Sequence, residues 1–96
     1  MERVINLRVV TPQGVLLETK CDSLVMPAAD GGLIGVRYGH TKAIIALSNG
    51  KIKAMLGGRI IAETTVPGGY ARIDKDEAVI ITEGIAPDTG RADARS

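Results

Sequence analysis

The sequence predicts an all-β fold, an antiparallel β-sandwich or flattened barrel of about ten short strands. Three observations predict it. Short runs rich in Val and Ile follow one another along the whole chain. Twelve Gly and four Pro among 96 residues cut these runs apart, at the ~8–12-residue spacing of a sandwich or barrel. No window of a dozen residues carries a capped helical stripe.

The elements follow in order. From Val4 to Val10, Ile5, Leu7 and Val9 share one face, with Asn6 and Arg8 on the other, the period of a half-buried strand. Thr11-Pro12-Gln13-Gly14 is a turn. Val15 to Glu18 resumes an extended run, and Cys21 to Met26 is a further one, stopped by Pro27. Ala28 to Gly32 reads as a loop, Leu33 to Val36 as a short strand, and Arg37 to His40 as a corner. Thr41 to Leu47 has contiguous apolar residues, so periodicity leaves helix and strand both open. Asn49-Gly50 carries the strongest hairpin signal in the chain, because both residues tolerate positive φ. Ile52, Ala54 and Leu56 then alternate with Lys51, Lys53 and Met55. Gly57-Gly58 is a second turn, Arg59 to Val66 a β-branched run, and Pro67-Gly68-Gly69 a break. Tyr70 to Ile73 restarts the pattern, Asp74 to Glu77 is a charged turn, and Ala78 to Glu83 is the last strand. The folded domain is expected to span 1–86, with 87–96 a flexible polar tail that has nothing to bury.

Composition narrows the functions. Twelve basic against 11 acidic residues leave a formal net charge of +1, which argues against bulk electrostatic binding to nucleic acid or anionic lipid. Two Tyr, with no Trp or Phe, leave almost nothing on which bases could stack. One Cys excludes an internal disulfide and fits a reducing compartment. No apolar run approaches the ~18 residues of a membrane span. The expectation is a soluble, intracellular, single-domain protein.

Chemistry is sparse. His40, the sole histidine, has neither a second His nor a CxxC pair to complete a metal site. It reads best as a loop residue bonded to backbone at a glycine corner. Cys21 lacks a nearby base to activate it and reads as core filler or a strand-edge residue. Gly31-Gly32-Leu33-Ile34-Gly35 lacks GxGxxG spacing, and Gly50-Lys51 has no glycine five places earlier, so neither cradles phosphate. Asp74, Asp76 and Glu77 resemble a paired-carboxylate site, but a charged hairpin tip is the usual explanation. No nucleophile, base and oxyanion donor come together. The residues alone reach a β-sandwich binding module, expected to have no catalytic, metal or cofactor site. Two alternatives stay open: an adaptor taking a peptide at a sheet edge, and a small-ligand domain built on the His40 corner.

One stretch has a recognisable pattern. Pro27-Ala28-Ala29-Asp30-Gly31-Gly32-Leu33-Ile34-Gly35-Val36-Arg37-Tyr38-Gly39-His40 resembles the epsilon subunit of F-type ATP synthases, with Gly32, Gly35, Val36, Gly39 and His40 on the matching positions. Leu7 to Gly14 is similar to that family's first strand and its T-P-x-G corner. Leu24 to Pro27, Ala43 to Gly50, Val66 to Ile73 and Ala78 to Glu83 are similar to later strands. The chain departs from the pattern at Tyr38 and Lys42, where the family has Pro, at Leu33, where it has an acid, and in a loop one residue longer ahead of Gly32.

The resemblance covers about residues 5–86 and implies a rotor subunit that passes torque between gamma and the c-ring without chemistry of its own. It implies gamma contact at Thr11, Pro12, His40 and Thr41, near one end of the sandwich. It implies c-ring contact along Asp30, Gly31, Gly32, Leu33 and Ile34. Leu33 and Ile34 become candidate exposed anchors, with strand alternation leaving open that one points inward. The partners implied are gamma, the c-ring and the rest of the synthase. Nucleic acid is not among them, and the membrane is met only through the complex, at its cytoplasmic face. Typical members continue into a pair of regulatory helices. None is expected here, and Asp88-Thr89-Gly90-Arg91-Ala92 matches the D-x-x-R-A nucleotide motif of some members by chance, since Gly90 disfavours a helix.

Overall fold

The computed structural model describes residues 3–83. Among them are nine strands and no helix: β1 (Ile5–Thr11), β2 (Gly14–Cys21), β3 (Ser23–Pro27), β4 (Leu33–Arg37), β5 (Ala43–Leu47), β6 (Gly50–Leu56), β7 (Arg59–Val66), β8 (Gly69–Ile73) and β9 (Glu77–Ile81). They form two layers. A five-stranded sheet has the order β2-β1-β9-β8-β5, and a four-stranded sheet the order β4-β3-β6-β7. The expected sandwich is present. The expected tail at 87–96, the expected lack of a helical hairpin and the Asp88 motif lie outside the described residues.

Alternation builds the core. In β1, Ile5, Leu7 and Val9 are buried and Asn6 and Arg8 exposed. Ala71 and Ile73 of β8 and Ala78 and Ile80 of β9 extend the same inner face. Leu24, Met26, Val36, Ile52, Ala54 and Val66 face them from the other sheet. Every one of these side chains is at most 1% exposed, so each Val, Leu, Ile or Met contributes roughly 1.5–3 kcal/mol by leaving water, and each Ala about 0.8 kcal/mol.

Three strand-level expectations are corrected, and one open reading is resolved. The pairing is antiparallel throughout except at β1 and β9, which run parallel from Asn6↔Glu77 to Val10↔Ile81. The last strand fills the slot between β1 and β8, and its buried Ala78 and Ile80 sit level with Leu7 and Val9. The Cys21–Met26 run is not one strand. Cys21 closes β2, Asp22 turns the chain into the second sheet, and β3 begins at Ser23. The Asp22 carboxylate holds that corner by accepting the Gly57 amide at 2.9 Å.

Asn49-Gly50 is not a hairpin. β5 pairs only with β8 among the strands, while β6 pairs with β3 and β7, so this step crosses from one sheet to the other. Gly50 is not among the positive-φ glycines. It opens β6 against the Pro27 ring, where an added Cβ would lie 2.9 Å from Pro27 Cγ. Turn chemistry ranks local hairpins, but burying the inner faces of both sheets decides which strands meet. Gly57-Gly58 does make the β6–β7 hairpin, with φ of 62° and 81°, the positive pair that matches strand twist. Finally, the ambiguous 41–47 run is strand from Ala43 onward.

Candidate interaction surfaces

The connections gather at two ends of the sandwich. β1 and β9 run towards the Thr11 end, and β8 and β5 are registered so that Gly69 and Leu47 lie there too. Thr82 ties this end together. Its amide donates to the Val10 carbonyl at 3.0 Å, and its hydroxyl to the Gly68 carbonyl at 2.7 Å. Thr11 is buried, donating its hydroxyl to the Gly14 carbonyl and accepting the Gln13 amide. That leaves Pro12 on the outside of the turn.

The loop at Asp30 is at the same end. Ala28 bridges Leu47, the Ala29 amide donates to the Ala46 carbonyl, and the Ser48 amide donates to the Pro27 carbonyl. The loop is closed from within, because the Asp30 carboxylate accepts the Gly32 amide at 2.9 Å and the Ala28 amide donates to the Gly32 carbonyl at 2.8 Å. Leu33 is 74% exposed. Ile34 is half-buried and packs on the core, opposite Met26 in the ladder. Of the two candidate anchors Leu33 projects, and Ile34 is the inward-pointing member that alternation left open. A one-residue step along a strand reverses the face.

His40 and Thr41 stand at the other end. The Gly39 amide donates to the Lys75 carbonyl in the β8–β9 turn, and that turn also receives the Asn6 amide from the start of β1. So Thr11 and Pro12 do not share an end with His40 and Thr41, against the sequence expectation. The corner around His40 is the local arrangement its glycine context predicts. Its amide donates to the Arg37 carbonyl, and its ring Nδ1 donates to the Thr41 carbonyl at 2.6 Å. Asp74 to Glu77 form a hairpin tip, with Asp74 and Glu77 joined through their backbones. No three acidic, His or Cys side chains among the described residues are grouped to hold a metal ion. Cys21 is fully buried, its thiol directed at the Ile5 carbonyl. Burial, then the Asp22 charge, push that thiol up to about 11, against a smaller opposing effect from a backbone hydrogen bond at Ser23.

One surface escaped the sequence reading. The register puts Ala46 opposite Tyr70, Tyr70 opposite Ile81, Ile81 opposite Val10, and Val10 opposite Val15. This apolar row crosses all five strands on the outer face, about 19 Å from end to end at the usual strand spacing. Tyr70, Ile81 and Val15 are each more than half exposed. The next row is Ile44, Arg72, Val79, Arg8 and Glu18, so apolar character is concentrated at the Thr11 end. Each residue is visible in the sequence as the outward member of its own strand. Only strand order aligns them.

Among the described residues the sandwich groups no metal-binding cluster, and its outside presents a projecting Leu33 and an apolar row. The comparisons give the class. The model of the ATP synthase delta/epsilon chain β-sandwich domain matches residues 4–88, and the chain belongs to this family. The ATP synthase epsilon chain of Granulibacter bethesdensis is 33% identical over 82 residues, covering 85% of this chain and 60% of that one. The chain thus spans about three fifths of that curated relative. Two solved assemblies share the fold. The mitochondrial ATP synthase of Euglena gracilis, an OSCP/F1/c-ring structure, matches with a TM-score of 0.76 at 20% identity, over 91% of this chain and 55% of that one. The central stalk/c-ring structure of the Tetrahymena thermophila enzyme matches with a TM-score of 0.68 at 10% identity, over 95% and 75%.

Proposed function

We propose that this domain is a non-catalytic rotor element of an F-type ATP synthase, coupling gamma to the c-ring at the cytoplasmic face of the membrane. Membership of the delta/epsilon β-sandwich family carries the reading. The similar solved assemblies, an OSCP/F1/c-ring structure and a central stalk/c-ring structure, support it. Residues 1–86 act as one domain in this proposal, and the fold suits a part that transmits force. Two hydrogen-bonded layers share one apolar core, so shear on either face is resisted by both.

Asp30, Gly31, Gly32, Leu33 and Ile34 form the c-ring contact in this reading, with Leu33 as its apolar anchor and Ile34 as support beneath. Thr11, Pro12, His40 and Thr41 face gamma. Because the first pair and the second lie at opposite ends, gamma must follow the long direction of the sandwich. A seven-residue strand such as β1 sets that distance at roughly 20 Å or more.

The test is Leu33→Asp, followed by co-purification with gamma and a c-ring. Leu33 is mostly exposed, so the variant should keep its melting temperature and gamma binding while ring association is lost. Normal ring association at unchanged stability would refute the loop assignment. Failure of the wild-type domain to bind gamma would refute the rotor reading itself.

A further inference from the structure

Among the described residues β2 pairs with β1 alone, so it forms a free edge of the five-stranded sheet. The main chain of that edge has a definite direction. The Asn6 amide donates to the Asp76 carbonyl, away from β2. Backbone groups alternate sides along a strand, so those of Arg8 also point away from β2. Asn6↔Lys20 and Arg8↔Glu18 are therefore the non-hydrogen-bonded pairs of the β1–β2 ladder. The amide and carbonyl groups of Glu18 and Lys20 point out from the edge, a template for another strand.

We infer that the strand taking this template is β2 of a second copy, antiparallel about a two-fold axis at Thr19, so that two five-stranded sheets join edge to edge. With Thr19 opposite its own counterpart, Glu18 of each copy lies opposite Lys20 of the other, and their outward backbone groups meet. Both side chains are exposed. Arg8 already holds Glu18 at 3.2 Å, so the junction sets each carboxylate between two cations, one from each copy. On the opposite face Thr19 meets Thr19 and Leu17 meets Cys21, a β-branched pair and an apolar pair, and no charge is buried.

Charge also selects the register. Setting Glu18 opposite Glu18, or Lys20 opposite Lys20, would match the same outward backbone groups, but like charges directly opposite repel. The other edges lack this self-complementarity. β4 and β5 carry no acidic residue. In β7 a register shift falls between Arg59 and Glu63, which puts their backbone groups out of phase. The shift in β2 lies on the Thr11 side of Leu17, outside the self-paired Leu17–Cys21. Five residues from each copy make a small junction, the class of weak and transient contacts. The inference concerns the chain by itself and stands whether or not the rotor reading does.

Sedimentation of the full chain over rising concentration at low salt provides the test. A monomer–dimer equilibrium is expected, weakening as salt is added. Hydrogen exchange should slow at the Glu18 and Lys20 amides as concentration rises, with the Asn6 amide unchanged. Glu18→Lys and Lys20→Glu each set like charges opposite one another, so each should abolish association. An equimolar mixture of the two variants restores both opposite-charge pairs and should associate as wild type does. A wild-type chain that stays monomeric at every concentration, with both amides exchanging at a constant rate, would overturn the proposal without recourse to any variant. Association that survives both single variants would also overturn it, because another surface would then be responsible. So would a mixture that stays monomeric where wild type dimerises.

Discussion

Gly69 packs directly against the backbone of Ile81, so closely that a Cβ on Gly69 would overlap the Ile81 carbonyl oxygen and lie 3.1 Å from its carbonyl carbon. The same glycine holds a φ of 134°. Two independent penalties therefore fall on any side chain there, steric overlap and a disfavoured backbone.

The first prediction compares two glycines. Gly69→Ala should destabilise the domain by about 3 kcal/mol or more, since relief of the overlap requires the β8–β9 ladder to part. Gly14→Ala meets nothing within 4 Å at a φ of 124°. It should cost only the backbone strain, roughly 1–2 kcal/mol. Urea midpoints of the two variants against wild type check the order, and equal losses would contradict it.

Cys21 supplies a pH dependence. Its thiol is pushed from its ordinary 9.0 up to about 11 in the folded chain, chiefly by burial. Between these values the unfolded chain releases a proton that the folded chain retains, so rising pH favours unfolding. The stabilisation from keeping the thiol neutral is whole below pH 9 and is lost as pH rises towards 11. The stability gap between wild type and Cys21→Ala should therefore narrow across that window. The thiol should also resist alkylation at neutral pH until denaturant is added.

The corner between the two sheets depends on Asp22. Its carboxylate accepts the Gly57 amide at 2.9 Å and the Ser23 hydroxyl at 3.3 Å. Asp22→Ala should lower stability by about 1 kcal/mol and speed hydrogen exchange at the Gly57 amide. Asp22→Asn, which keeps an acceptor, should recover part of the loss.

The ion pair between Arg8 and Glu18 is expected to matter little. Its atoms are 3.2 Å apart, but both side chains are about half exposed or more, and such pairs contribute roughly 0–1 kcal/mol. Glu18→Gln should leave the thermal midpoint nearly unchanged at physiological salt. A loss comparable to that of Gly69→Ala would show that this edge of the sheet carries more strain than its exposure implies.

Much of the architecture was legible in the residues themselves. Alternation in Ile5–Val9 names the inner face of β1, Gly57-Gly58 names a true hairpin, and Cys21, read as core filler or a strand-edge residue, is buried in the core at the end of β2. The Pro27–His40 stretch and its neighbours pointed to the family that the domain match then established. These signals are local, because side-chain period and glycine dihedrals act over a few residues.

What failed was non-local. Asn49-Gly50 has good hairpin chemistry, yet β5 belongs beside β8 and β6 beside β3 and β7, since the two inner faces must cover one core. Thr11 and His40 look alike as corner residues, but the parallel β1–β9 pair and the Gly39–Lys75 hydrogen bond separate them to opposite ends. The row from Ala46 to Val15 exists only through the register of five strands. Side-chain period and turn chemistry determined, from the sequence by itself, that this chain is a small β-sandwich. Which strands are neighbours, and hence what its outer surface presents, was decided by tertiary structure, because burial is a property of the whole chain rather than of any segment of it.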